Sequence, residues 1–200
     1  MAASTLNLLF IGDVVGSGGL QICQTMLPIL KQKHKIDFCV VNGENMHEGK
    51  GLNEQMVKEL YAAGANVITG GDHSFDKHLI IPYMKTDKNL LRPYNYPKGV
   101  AGFGSGVYEC ESKKTKIAIL NLRGLAFFQN PIECPFRTAD AVVPRLASET
   151  SLIFVDFHAE ATAEKVALGW YLDGKVSAIA GTHTHIPTAD AQILPNGTGY

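Results

Sequence analysis

The chain has 200 residues, of which 46% are hydrophobic, and this size and apolar content favour a single domain with one continuous core. Its 18 Lys and Arg residues nearly balance its 19 Asp and Glu residues, so the formal charge of -1 argues against a scaffold that binds DNA, and a polyanionic ligand would have to be held locally. No stretch approaches the ~20 apolar residues of a membrane span, and the four irregularly spaced cysteines form neither a CxxC motif nor a disulfide framework, which favours reduced thiols in a cytoplasmic protein.

Short apolar runs alternate with longer amphipathic segments, which is typical of an α/β layered domain. The first half of the chain predicts, in order, strand 6–12, helix 19–33, strand 36–42, helix 53–63 and strand 66–69. Asn53 is expected to cap the second helix and Gly64 to end it.

The second half predicts further strands and helices and the start of a hairpin. It contains a short helical region at 76–84, antiparallel strands 100–109 and 116–122 with a turn at 112–114, helix 138–147, strand 152–157, helix 162–172 and strand 176–180. Residues 192–194 lead into Pro-Asn-Gly, a turn signal. The chain reaches Tyr200 soon afterwards, so we expect no return strand within it.

Metal-binding or proton-transferring side chains follow five of the predicted strands. They are Asp13, Glu44 with Asn45, Asp72 with His73, Asp156 with His158, and His183 with His185. In open α/β sheets the carboxyl ends of neighbouring strands line one crevice, so these side chains are expected to converge. Glycines precede most of these groups, which indicates tight strand exits where side chains and substrate approach the backbone closely.

The mixture of carboxylates and imidazoles indicates a pair of transition-metal ions. Carboxylates neutralise and bridge divalent ions, whereas neutral imidazoles suit Mn, Fe, Zn or Ni better than Ca or Mg. His183 and His185 are two residues apart, and in an extended backbone both rings would lie on one side. Each ring could then reach a different ion of a pair ~3.5–4 Å apart. This pattern favours a hydrolase that cleaves phosphate esters or phosphodiesters.

Each group alone has an ordinary structural explanation. Asp13 is a common type of turn residue, Asp72 a good helix cap, and a histidine such as His158 is often a structural hydrogen-bonding group. Either Asp156 or Glu160 could orient the ring of His158. Only the occurrence of such groups after successive strands favours a site.

The remaining histidines and the first loop do not indicate another site. His34 is expected at a helix end, and His47 and His78 at the surface. The loop after the first strand lacks GxGxxG and a Walker lysine, and Asp13 there would repel a pyrophosphate. An aspartyl-phosphate mechanism at Asp13 would leave the histidines without a task.

Five motifs in order resemble the YmdB-like metallophosphoesterases. They are Gly-Asp13-Val-Val-Gly, Asn-Gly-Glu44-Asn45, Gly-Asp72-His73, Asp-Phe-His158-Ala-Glu and Gly-Thr-His183-Thr-His185, and they span nearly the whole chain. The resemblance implies an α/β fold of the calcineurin-like type, a layered sandwich of two mixed β-sheets packed together with helices on the outer faces. It also implies a dinuclear Fe or Mn centre that hydrolyses cyclic nucleotides, notably 2′,3′-cyclic nucleotides, by metal-activated hydroxide.

The resemblance also assigns roles to individual residues. Asp13, Asn45 and His185 would serve one ion, Asp72, His158 and His183 the other, with Glu44 bridging both and His73 donating a proton. The partners expected are a small cyclic nucleotide or phosphodiester, neither DNA nor a membrane, and further copies in a homo-oligomer. Family members continue beyond Tyr200, so a single domain over residues 1–200 would lack a C-terminal hairpin.

One position departs from the family pattern, which usually has Asn where this chain has Asp72. An extra carboxylate should hold metal more tightly, weaken its Lewis acidity and repel an anionic substrate. The alternative function is therefore a non-catalytic regulator that retains the site to bind metal or nucleotide.

Overall fold

The computed structural model describes residues 5–200, and residues 1–4 of the predicted domain lie outside the described residues. Strands and helices alternate through most of this range, as the sequence predicts. They are β1 (Leu8–Ile11), α1 (Gly16–Lys33), β2 (Phe38–Asn42), α2 (Glu54–Ala63), β3 (Val67–Thr69), α3 (Ile81–Met84), β4 (Ser105–Cys110), β5 (Thr115–Arg123), α4 (Pro135–Ala147), β6 (Ile153–His158), α5 (Thr162–Tyr171) and β7 (Ala178–Thr182). Short 3-10 turns cover His78–Ile80 and Glu111–Lys113.

The described strands form two sheets. The first has the order β1-β2-β3 and is wholly parallel. The second has the order β4-β5-β6-β7, with β4 antiparallel to β5 and the other pairs parallel. The prediction of an α/β fold with two sheets is confirmed, but only one of the sheets is mixed, since the described strands of the first are all parallel. All the strands except β4 therefore direct their carboxyl ends to a shared edge of their sheet.

Three hydrophobic clusters define the layers of the sandwich. One cluster joins residues of both sheets, including Phe38 and Val40 from β2, Ile119 from β5 and Phe154 from β6. The rings of Phe10 and Phe154 span this interface with centroids 5.0 Å apart. The other two clusters pack helices against the outer face of each sheet. The cluster between the sheets therefore holds them together, and the other two clusters attach the helices to their outer faces.

Local signals explain the bounds of the helices. The Asn53 side chain accepts a hydrogen bond from the backbone nitrogen of Met56 at 2.9 Å, and Gly64 ends α2 with φ of 114°, so both predictions are confirmed. Helix α4 begins three residues before its predicted start, at Pro135, because proline suits the first helical turn.

Two predictions about local structure are wrong. The short helical region at 76–84 is confirmed by the 3-10 turn and α3, but the last strand is displaced by two residues, to Ala178–Thr182. The return segment of the last turn does form, since Gln192 and Tyr200 exchange backbone hydrogen bonds of 3.0 and 2.9 Å. Gly197, with φ of 97°, reverses the chain quickly enough for this pairing.

Cys23, Cys39 and Cys110 are buried, Cys134 is partly exposed, and all four are free thiols. Between residues 5 and 200, no helix combines the length and the apolar character needed to cross a bilayer.

Candidate metal centre

The polar residues predicted at the strand ends lie around one crevice between the two sheets. They are Asp13 after β1, Glu44 and Asn45 after β2, Asp72 and His73 after β3, His158 at the end of β6, and His183 and His185 after β7. A buried hydrogen bond of 2.9 Å from Asn42 Nδ2 to Asp156 Oδ2 joins the sheets beneath this crevice. The packing of the sheets therefore brings together residues as far apart in sequence as Asp13 and His185.

Four of these residues form a compact group of donor atoms. The ligand atoms of Glu44, Asp72, His158 and His183 all lie within 4.8 Å of one another, a geometry that could hold a metal ion. The Nε2 atom of His158 lies 3.0 Å from Glu44 Oε1 and 3.0 Å from Asp72 Oδ1. The Nδ1 atom of His183 lies 3.3 Å from the same Asp72 oxygen.

A second group of donors lies directly beside the first. His185 Nε2 is 3.3 Å from Asn45 Oδ1 and 3.9 Å from Asp13 Oδ1. The same Asp13 oxygen is 3.7 Å from His158 Nδ1, while Asp13 Oδ2 accepts a 2.9 Å hydrogen bond from the backbone nitrogen of His183. The two groups therefore share a boundary at Asp13 and His158.

Two buried carboxylate oxygens indicate that this donor set fits cations. Asp13 Oδ1 and Glu44 Oε1 are buried and have no hydrogen-bond partner among the described residues, although Glu44 Oε1 lies close to the His158 ring. Burying a carboxylate oxygen without a donor is costly, and a bound cation removes that cost. One orphaned oxygen belongs to each donor group, so the residues present fit two metal positions.

The backbone of the two neighbouring histidines differs from the prediction. His183 and His185 have φ of 101° and 55°, whereas the sequence argument assumed an extended backbone. Strand β7 ends at Thr182, and the left-handed conformations turn the two rings to different donor groups. Such strain in residues with a Cβ occurs mainly where function requires it.

A buried relay fixes the orientation of the His158 ring. Thr182 Oγ1 donates a 2.8 Å hydrogen bond to Asp156 Oδ1 and lies 2.9 Å from His158 Nδ1. Because the hydroxyl proton is given to Asp156, the hydroxyl oxygen accepts from Nδ1–H, which leaves the lone pair on Nε2 of the neutral ring free to bind a metal ion. Burial raises the pKa of Asp156 to about 6, against the opposing hydrogen bonds from Thr69 and Thr182. The sequence analysis did not identify Thr182.

Glu160 orients a different ring from the one considered in the sequence analysis. Its Oε2 atom lies 3.0 Å from His183 Nε2, while Asp156 reaches His158 through Thr182. With Nε2 of His183 directed at Glu160, the Nδ1 atom of that ring faces the donor group. Each of the two rings thus has one nitrogen held by an acceptor outside the cluster.

His73 lies at the rim of the crevice in a position that suits proton transfer. Its Nδ1 atom is 2.8 Å from Asp76 Oδ2, and its Nε2 atom is 3.5 Å from Asp72 Oδ2. Its backbone nitrogen donates a 3.0 Å hydrogen bond to Glu44 Oε2, so the Glu44 side chain also fixes its position. The side chain is 23% exposed, which leaves it accessible to a ligand. Asp76, three residues later, was not identified from sequence.

Gly71 shows why glycine is needed at a strand exit. A Cβ atom there would collide with the Glu44 carboxylate and the His158 ring. At Gly70 it would collide with Ser74. The expectation of a crowded exit is confirmed after β3, where no other residue type fits without displacing a donor.

The other histidines lie away from the donor groups. His34 caps the end of α1, as predicted, and His78 is exposed. His47 lies in the loop after β2 with its side chain 30% exposed, which agrees with the predicted surface position, although its Nδ1 atom is buried.

The carboxylates give the metal-free site a strong affinity for protons. Burial disfavours the charged form of His158, but Glu44, Asp72 and Asp13 outweigh it and raise the pKa of His158 to about 10. Burial alone would raise the pKa of Asp72, yet hydrogen bonds from His158 and His183 lower it below its usual range. A cation entering the site would therefore compete with a proton on His158.

We expect metal binding to release a proton and to strengthen with pH. Because the raised pKa of His158 keeps the metal-free ring charged up to about pH 10, the metal association constant should rise about tenfold per pH unit between roughly pH 7 and 9. Without metal, the stability that comes from the charged ring should be lost as pH rises through that pKa. Calorimetric titration with Mn²⁺ in two buffers of different ionisation enthalpy measures the released proton. An association constant independent of pH would contradict this account.

The fold and the site together define a class of protein. A layered α/β sandwich with carboxylates, an amide and imidazoles at its strand ends has the architecture of the calcineurin-like phosphoesterases. A 5′-nucleotidase from Candida albicans shares this fold, with a TM-score of 0.63 at 12% identity, over 98% of this chain and 45% of that one.

The chain belongs to the YmdB-like family, since the model of the YmdB-like protein family matches residues 9–200. A 2′,3′-cyclic-nucleotide 2′-phosphodiesterase from Bacillus subtilis is 47% identical over 195 residues, which cover 98% of this chain and 73% of that protein. The crystal structure of a novel phosphatase from Mycoplasma pneumoniae has a TM-score of 0.91 at 38% identity, over 98% of this chain and 70% of that one.

Proposed function

We propose that this protein is a dinuclear metal-dependent phosphodiesterase that hydrolyses cyclic nucleotides, and 2′,3′-cyclic nucleotides in particular. The two adjoining donor groups, each with a buried carboxylate oxygen that lacks a partner, carry this proposal. The name of the Bacillus subtilis relative supports the choice of substrate.

The geometry supports a division of the ligands between two ions. Asp13, Asn45 and His185 surround one position, and Asp72, His158 and His183 surround the other. Glu44 lies against His158 and has one oxygen without a partner, as a bridging carboxylate requires.

Iron or manganese suits this set of ligands. Imidazoles combined with carboxylates and an amide favour these metals over Ca or Mg, and no cysteine lies in the described donor groups. When bound, the pair lowers the pKa of water and neutralises charge on the phosphate.

The protein's own residues would position the substrate and supply a proton. His73 faces the crevice at its Nε2 atom, while its Nδ1 atom is held by Asp76. The resulting dyad can keep a proton on Nε2 and deliver it to the leaving ribose oxygen. The Thr182–Asp156 relay and Glu160 would keep the two metal-binding rings from rotating.

Release of nucleoside monophosphate from 2′,3′-cyclic AMP tests this function. Purified protein reconstituted with Mn²⁺ should hydrolyse the substrate, and activity should disappear with a chelator and return with metal. If protein that contains two ions binds 2′,3′-cyclic AMP saturably but releases no product, this result would instead support the regulatory function. A generic bis-aryl phosphodiester is assayed in parallel. Hydrolysis of this compound but not of 2′,3′-cyclic AMP would show that the enzyme is a phosphodiesterase with a different natural substrate.

Asp72 is the residue that favours the regulatory alternative, and its replacement makes a direct test. We expect Asp72→Asn to weaken metal binding and to increase kcat by about tenfold, because one charge fewer leaves the ions more Lewis-acidic. The measurement is a pair of titrations, of metal content and of turnover at saturating metal. Lower kcat in the fully loaded variant would show that the Asp72 carboxylate contributes to the reaction.

A further inference from the structure

A cavity whose charged lining residues are mostly cationic, here called the cationic cavity, lies apart from the candidate metal donors. It has a volume of about 930 Å³, and its charged lining consists of Arg92, Lys98, Arg137 and Arg145 against Glu133 alone. The whole chain carries a formal charge of only -1, so this concentration of positive charge is local. Its size is that of a ligand pocket.

The fold presents three of these cations to solvent. Arg137 and Arg145 are separated by two helical turns on α4, so they lie on one face of that helix. Both are exposed, as is Lys98 across the cavity. The side-chain ion pairs of lysine in the described range occur elsewhere, at Lys58, Lys77, Lys113 and Lys175.

Arg92 builds the opposite wall of the cavity. Arg92 is buried, and its guanidinium donates to the backbone oxygens of Pro93 at 2.7 Å and Tyr94 at 3.0 Å. These hydrogen bonds therefore hold the backbone of the loop that carries Lys98. The phenol of Tyr94 in turn accepts a 3.4 Å hydrogen bond from Arg145, which ties the helix to the same loop.

Tyr96 connects this cavity with the metal centre. It lines both the cationic cavity and a second cavity of about 520 Å³, which contains Asp72, Phe75, Lys50 and Lys77. The rings of Phe75 and Tyr96 meet edge to face with centroids 5.4 Å apart. A path therefore runs from Asp72 across two aromatic rings to the arginines of α4.

Alternating aromatic rings and cations are typical of sites for single-stranded nucleic acid. Bases stack on partly exposed rings, and lysine and arginine side chains contact the phosphates between them. A mononucleotide would fill only the part of the path near Asp72. The cations on α4 would then have no partner, whereas a longer strand would use the whole path.

We propose that the preferred substrate is a single-stranded RNA that ends in a 2′,3′-cyclic phosphate, which rests on the phosphodiesterase function proposed above. The terminal phosphate lies at the metal centre and the terminal base at Phe75 and Tyr96. The preceding phosphates lie along Lys98, Arg137 and Arg145. The chemistry at phosphorus is unchanged, since water opens the cyclic ester and the ribose oxygen leaves with a proton.

The test compares a short oligoadenylate that ends in a 2′,3′-cyclic phosphate with 2′,3′-cyclic AMP. Wild-type protein should have the higher kcat/KM for the oligonucleotide. The double variant Arg137→Glu/Arg145→Glu should lose roughly tenfold to a hundredfold of kcat/KM for the oligonucleotide, and far less for the mononucleotide. The salt dependence of oligonucleotide binding should also fall by about two in slope. Lys33→Glu/Lys85→Glu makes the same charge change at two exposed residues that line neither cavity.

Binding without hydrolysis separates this proposal from the phosphodiesterase function. Fluorescence anisotropy of a labelled oligoadenylate with a 3′-hydroxyl should show weaker binding to the arginine double variant than to the lysine control. That result would support the cavity even if wild-type protein hydrolysed no cyclic nucleotide, which would overturn the proposed function alone. Equal oligonucleotide binding by both double variants, or a wild-type preference for the mononucleotide, would overturn the RNA proposal.

Discussion

Glu44→Gln is expected to abolish metal-dependent turnover and to leave the protein unable to hold both ions. The side chain is buried, and its Oε1 atom, which has no hydrogen-bond partner among the described residues, lies 3.0 Å from Nε2 of His158, where the two donor groups adjoin. Glutamine has nearly the same shape, but its neutral amide cannot bridge two cations. Because even the loss of a residue that only orients a ligand costs ~10–100-fold in metal affinity or activity, we expect a loss above about 100-fold.

Elemental analysis and cyclic nucleotide hydrolysis measure the two effects of Glu44→Gln separately. Glu149→Gln is the matched control, since Glu149 is exposed at the end of α4 and away from the crevice. Circular dichroism should show that both variants are folded. If Glu44→Gln keeps its full metal content and full activity, Glu44 is not a ligand of the metal centre.

His73→Ala is expected to lower kcat by ~10²–10⁴-fold while both ions stay bound. The imidazole lies at the rim, its Nδ1 atom is 2.8 Å from Asp76, and only its backbone contacts Glu44. Its removal therefore deletes a proton donor without deleting a metal donor atom.

The metal content of His73→Ala distinguishes the two possible roles of this residue. His34→Ala, at an exposed helix end, serves as the control for removal of an imidazole. If His73→Ala loses metal in proportion to activity, His73 is a ligand and another group donates the proton. A substrate with a better leaving group should recover part of the lost rate, because it depends less on protonation.

The layered fold and the position of the site follow from local patterns in the sequence. The apolar composition of 36–42 is enough to predict a buried strand, which the structure has at Phe38–Asn42, and Asn53 and Gly64 set the ends of α2 by local hydrogen bonding. Strand order in a parallel sheet then places the polar residues after each strand at one edge. Asp13 and His185 could be grouped from sequence for this reason.

Other features depend on tertiary contacts that local patterns do not contain. Thr182 matters because its hydroxyl lies between Asp156 and His158, and threonine at a strand end has no distinctive signal. The left-handed backbone of His183 and His185 is imposed by their surroundings against their own preference.

The cationic cavity was also beyond reach from sequence. Arg92, Lys98, Arg137 and Arg145 come from a loop and a helix that are separated by strand β5, and overall charge conceals them. The formal charge of -1 indicates that a polyanion must be held by a local group of cations, but it does not show where on the chain that group lies.

Metal-free protein is titrated with Mn²⁺, and hydrolysis of 2′,3′-cyclic AMP is measured after each addition, to test whether the protein is a phosphodiesterase that needs two metal ions. The account predicts that turnover is absent without metal and reaches its maximum at two ions per chain, since two donor groups adjoin at Asp13 and His158. Turnover that is complete at one ion, or that needs no metal, would contradict a dinuclear phosphodiesterase.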